Sequence, residues 1–72
     1  MASYVAPRQN RLRKLRERSK LTQHEVAKLL DINHTTVSSH ESARRGLTGP
    51  EIEKYAALYK VSSFELFIEP NG

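Results

Sequence analysis

The chemistry-bearing side chains of this 72-residue chain crowd into one short stretch, His34 to Ser42, which reads His-Thr-Thr-Val-Ser-Ser-His-Glu-Ser. Val37 is its one strongly apolar residue. Hydroxyls donate and accept hydrogen bonds, and an imidazole does either according to its tautomer. A segment with many small donors and acceptors and little to bury suits contact with another surface better than it suits a core. Arg44 and Arg45 follow it, and Gln23 and Asn33 precede it. Catalytic chemistry has no comparable signal: there is no nucleophile elbow and no glycine-rich phosphate loop. His24, His34 and His40 fall on different helices or faces, and no Asp or Cys completes a metal set with them. His34 and His40, six apart, share no helix face well. The expectation is no enzyme activity, no metal and no cofactor.

Two helices are needed to place that stretch. Val26, Ala27, Leu29 and Leu30 recur at helical spacing on one face. Thr22 precedes them as an N-cap, and Glu25 completes the Thr-x-x-Glu capping box. Asp31, Ile32 and Asn33 break the pattern, and Asn33 is a good N-cap for a second helix from His34 to Ser42. An apolar-periodic helix, a short turn and a polar helix form the helix-turn-helix plan, whose second helix enters the DNA major groove.

Leu12-x-x-Leu15-Arg16, Leu21-Thr22-Gln23-x-x-Val26-Ala27, Val37, Glu41 and Val61-Ser62-x-x-Glu65-Leu66-Phe67 stand in one register. On these residues the chain, from Leu12 to Phe67, resembles the Cro/C1-type (XRE-like, lambda-repressor-like) helix-turn-helix regulators, which bind DNA as dimers. Ala27 stands where that family needs a small residue at the crossing of the two motif helices. Three residues depart from the pattern. Asp31 replaces the usual turn Gly, and tolerates a left-handed backbone less well than Gly does. His40 replaces a large apolar or aromatic residue. Ala43 replaces the Gly that often follows the second motif helix.

The resemblance implies roles residue by residue. His34, Thr35 and Ser39, with Ser38 as a further candidate, would face base edges. Gln23, Asn33 and Thr36 would meet phosphates at helix starts, where the backbone amides and the helix dipole favour anions. Arg44 and Arg45 would clamp the DNA backbone. Arg16 and Glu41 would form a structural ion pair that fixes the angle of the reading helix. No Arg, Asn or Gln follows Asn33 within that helix, so discrimination is expected from several weak contacts, water and DNA shape.

Charge is unevenly placed. The net is +6 over residues 1–20 and −2 over residues 21–72, within a total of +4. A basic end and an acidic remainder fit a protein that turns one side to phosphate; a merely solvated helix face is the alternative. The chain has no cysteine, which rules out a disulfide scaffold. No apolar run approaches a membrane span, and a cytoplasmic location is expected.

The rest of the chain predicts further helices. Residues 1–6 read as a flexible arm and 70–72 as a tail, leaving 7–69 as a single domain. Pro7 suits a first helical position, for a helix running to Ser19. Thr48 and Glu51 box a fourth helix, in which Ile52, Tyr55, Ala56 and Tyr59 share an inward face. Ser62 and Glu65 cap a short fifth helix with Phe64, Leu66 and Phe67. The expected fold is all-α, five helices. Tyr59, Phe64 and Phe67 are the expected dimer surface, because so small a chain cannot cover all its apolar residues. The expected function is a homodimeric repressor on an inverted-repeat operator in double-stranded DNA. The rivals are an antitoxin-type module whose main task is to bind a partner protein, and an RNA or membrane-surface binder using the basic first helix. That helix is too poor in large apolar residues to favour a membrane.

Overall fold

The computed structural model describes residues 10–68. It contains four α-helices: α1 (Leu12–Arg18), α2 (Gln23–Leu30), α3 (His34–Glu41) and α4 (Gly49–Tyr59), followed by a 3₁₀ turn, Ser63–Leu66. No strand occurs among the described residues. The all-α expectation holds, but the expected fifth helix is this 3₁₀ turn. It is four residues long with one buried side chain, Leu66, and so short a segment gains little from α geometry. The arm, the tail and the expected helix start at Pro7 lie outside the described residues. No helix among those described is long and apolar enough to cross a membrane.

Local signals set the starts of α2 and α4. Thr22 Oγ1 accepts from the Glu25 amide at 3.1 Å, and the Glu25 carboxylate accepts from the Thr22 amide at 2.8 Å. Thr48 and Glu51 repeat the arrangement at 3.3 and 2.9 Å. Asn33 holds the N-cap position of α3 in extended backbone, but its side chain makes no cap hydrogen bond. At α1 the capping side chain is Asn10, whose Oδ1 accepts from the Leu12 amide at 3.0 Å.

All four helices end the same way. Lys20, Asp31, Ala43 and Lys60 have φ between 57° and 62°. At each, paired backbone hydrogen bonds close the last turn, as in Asp31 N–H to the Lys28 carbonyl and Ile32 N–H to the Ala27 carbonyl. This is the Schellman pattern, which favours Gly at the left-handed residue. A Cβ there costs about 1–2 kcal/mol, while Gly adds about 0.5–1 kcal/mol of unfolded-state entropy. Ala43→Gly should therefore stabilise the domain by roughly 0.5–1 kcal/mol. A thermal melt of that variant at or below the parent's would show that Ala43 is not strained.

The core comprises Leu12 and Leu15 of α1, Val26 and Ala27 of α2, Val37 of α3, Tyr55, Ala56 and Tyr59 of α4, and Leu66. Each fully buried large apolar side chain contributes about 1.5–3 kcal/mol. α2 packs chiefly on α3 and α4 on the 3₁₀ turn, while α1 reaches both α3 and α4. Two expectations fail here. Leu29 is 61% exposed, because Val26, Ala27 and Leu30 define the inward stripe and 100° per residue carries Leu29 off its edge. Tyr59, expected on a dimer surface, is only 6% exposed. It lies four residues after Tyr55 and stacks on it at 6.2 Å in the core.

Candidate nucleic-acid interface

The burial pattern of α3 divides its residues sharply. Val37 and His40, three apart, point into the protein. Asn33, His34 and Thr35 are exposed, and Thr36, Ser38 and Ser39 are half-buried. The residues expected to touch bases thus lie together on the outer side of one helix. Arg44 and Arg45 are exposed just beyond its left-handed exit.

A single guanidinium braces this helix from behind. Arg16 Nε donates to Glu41 Oε2 at 2.7 Å, Nη2 to Glu41 Oε1 at 3.3 Å, and Nη1 to the Leu21 carbonyl at 3.0 Å. Gln23 Nε2 also donates to Glu41 Oε1, at 3.1 Å. The side chains of Arg16 and Glu41 are 14% and 5% exposed, so water screens the pair little. Donating to the Glu41 carboxylate raises the Arg16 pKa above its ordinary value, and burial only partly offsets it. One fork thus ties α1, the turn before α2 and the end of α3. Gln23, expected at a phosphate, spends one amide hydrogen on Glu41, although an amide carries two. Tyr59 lies close by; burial first, then the Glu41 charge, pushes its phenol up to about 12.

His40 makes a second brace that sequence reasoning did not foresee. It is fully buried. Its Nδ1 lies 2.9 Å from the Tyr55 hydroxyl, and the rings meet edge to face. Its Nε2 lies 3.5 Å from Glu51 Oε1, without a hydrogen bond. Asn10 Nδ2 donates to the His40 carbonyl at 2.7 Å. Desolvation lowers the His40 pKa, the nearby Arg45 acts the same way, and Glu51 opposes both. The imidazole is therefore held neutral. His40 fills the place of the apolar or aromatic residue it replaces, as a core side chain with a polar anchor.

Arg13 and Ser42 are further additions. With Gln23, Ser38 and Glu41 they line a polar recess of about 210 Å³ where α1, α2 and α3 meet. Arg13 pairs with Glu17 at 3.1 Å across exposed surface. Its spacing of three from Arg16 was the available signal, since i and i+3 share a helix face. His24 and His34, expected on different helices or faces, are brought together: their rings stack with centroids 4.1 Å apart. Among the described residues no three His, Asp or Glu side chains are grouped as a metal site. Away from this side, Leu29, Leu30, Asp31, Lys54, Ala57 and Leu58 line a shallow, mostly apolar groove of about 430 Å³.

Comparison with known proteins agrees with this geometry. A family model described as a helix-turn-helix domain matches residues 10–66. Among solved structures, the hypothetical transcription factor NHTF from Neisseria is similar at 30% sequence identity and a TM-score of 0.74. The match covers 83% of this chain and 69% of that one. No curated protein matches the chain.

Proposed function

This chain belongs to the helix-turn-helix domain family, and we propose that it is a sequence-specific regulator of transcription that binds double-stranded DNA and catalyses no reaction. The observation that carries this is the polar outer side of α3, exposed over Asn33, His34 and Thr35 and braced from behind by the fork of Arg16 on Glu41. A short helix held so firmly with so little of its own to bury is suited to reading another surface. The description of the Neisseria neighbour as a hypothetical transcription factor supports the same function.

In this function His34, Thr35, Ser38 and Ser39 face base edges in the major groove. Gln23, Asn33, Thr36, Arg44 and Arg45 contact phosphates, and Arg16 with Glu41 positions without touching DNA. The chain acts as a homodimer, with Phe64 and Phe67 at the interface; both are exposed, at 56% and 36%, beside Ile68, exposed at 59%. Two reading helices in successive major grooves require an inverted repeat with half-site centres about 10 base pairs apart. Repression follows from occupying such a site over a promoter.

Selection from random duplex DNA tests this. The expected product is an inverted repeat of that spacing; recovery of no sequence would overturn the function, and a monomer in sedimentation both free and on the operator would overturn the dimer. Contacts separate by salt. Arg44→Ala or Arg45→Ala should weaken binding to every sequence alike and lower the salt slope by about one for each lost phosphate contact. Thr35→Ala should change base preference by about 1 kcal/mol and leave the slope alone. Titrations over a range of salt concentrations decide it, and the reverse pattern would mean that α3 is not the reading helix.

The protein-interaction alternative draws on the apolar groove beside the exposed Leu29. If it holds, Leu29→Glu should abolish capture of a partner protein and leave DNA selection untouched.

A further inference from the structure

His24 has no task in the scheme above. It is the second residue of α2, and His34 is the first of α3. Both are exposed, yet their rings stack at 4.1 Å with planes 24° from parallel. An exposed imidazole ordinarily samples several rotamers, and fixing one on binding lowers affinity. His34 begins the reading helix, where base contacts would start. A ring N–H makes a directional hydrogen bond, to an acceptor such as guanine N7 or O6, only when the ring plane is held. Among the described residues, the neighbour that stacks on the His34 ring is His24. Imidazole lone pairs lie in the ring plane, so two rings stacked face to face do not aim them at a common point between the rings, and the pair is no chelate.

We propose that His24 is a positioning residue for base recognition: its imidazole, stacked on that of His34, fixes the plane in which His34 presents an N–H to a base edge. This rests on the DNA-binding function above and adds a residue outside the reading helix that sets preference at one base position.

Two measurements test it. In the free protein, the ring current of His24 should displace the NMR signals of the His34 Cδ2 and Cε1 protons, and His24→Ala should return them to the values of an isolated exposed histidine. Unchanged signals overturn the stack. On the selected operator and its single-base variants, His24→Ala should cut preference at one base pair about three- to tenfold, the range set by freeing one side chain. That base pair should be the one affected by His34→Ala, the double variant should be no worse than His34→Ala alone, and the salt slope should not move. His24→Phe keeps a flat stacking face and should restore the preference. A uniform loss with a lower salt slope would make His24 a phosphate ligand and overturn the proposal. So would an effect at a different base pair, or failure of Phe to rescue. A parent protein that selects no duplex overturns the DNA function and this role with it. A parent and a His24→Ala variant that select alike overturn the role of His24 only.

Discussion

Glu41→Ala is expected to remove most of the stability of this domain. The Glu41 carboxylate accepts two hydrogen bonds from Arg16 and one from Gln23, and its side chain is 5% exposed. Truncating it strands a guanidinium that is itself 14% exposed. Removing one member of a buried pair costs about 3–5 kcal/mol, against less than about 1 kcal/mol for a surface pair. A domain of this size has only about 5 kcal/mol in hand, and each kcal/mol moves its melting temperature by about 4–8 °C. A fall of more than about 12 °C follows from those figures. Arg16→Met keeps the apolar stem and should be nearly as costly alone, because it strands the carboxylate. The double variant should be milder than the sum of the two, since no uncompensated charge remains. Thermal melts of the two singles and the double measure this. A Glu41→Ala variant that melts like the parent yet no longer binds DNA would place Glu41 at the DNA interface and end its structural role.

The second large effect is expected at His40, and it depends on pH. Replacing this fully buried ring by Ala leaves a cavity and strands the Tyr55 hydroxyl. Stranding a buried polar group costs about 1–3 kcal/mol, and an unfilled core cavity adds to it, so a loss of about 3 kcal/mol at pH 7.5 is expected. Burial holds the native His40 pKa below its ordinary 6.5. Below pH 6.5 the unfolded chain therefore binds a proton that the folded chain resists, and stability falls with pH until the native pKa is passed. Glu51 titrates in a more acidic window, since the hydrogen bond from the Thr48 amide lowers its pKa from 4.5. His40→Ala lacks the histidine contribution. Its deficit against the parent should narrow as pH falls from 7.5 to 5.5. Denaturant melts at the two pH values check the sign; a gap that widens on acidification would mean that the native His40 is charged and paired with Glu51.

The helix-turn-helix could be read from residues 22–41 because its signals are local. A capping box, an apolar stripe and a polar helix each act over a few residues, and the structure builds them where the spacing puts them. What escaped was set by partners distant in the chain. His40 looks like surface within its own helix; only Tyr55, fifteen residues on, makes it a core side chain. Asn10 could not be weighed as a cap while the helix was expected to begin at Pro7. Tyr59 is expected both on the inward face of α4 and on a dimer surface; its stack on Tyr55 settles it in the core, while Phe64 and Phe67 stay exposed. The stack of His24 on His34 depends on how α2 crosses α3, and spacing along the chain carries no information about that.

The contacts of Arg11 bear on the order in which this molecule assembles. Its backbone amide donates to the Leu66 carbonyl at 2.6 Å, and its guanidinium to the Glu65 carbonyl at 3.0 Å. These bonds join residues 55 and 54 apart, whereas α2 and α3 are consecutive. Local pairs form fast, and distant ones wait on loop closure. The Arg11 seam should be the last part of the fold to close and the first to open, by excursions that leave the α2–α3 pair intact. Native-state amide exchange would show it as Arg11 exchanging through a small local opening while Val37 exchanges only with global unfolding; equal protection at the two would mean that the domain opens as one body. With a seam of this kind, the α2–α3 half of the molecule outlives the half that closes it.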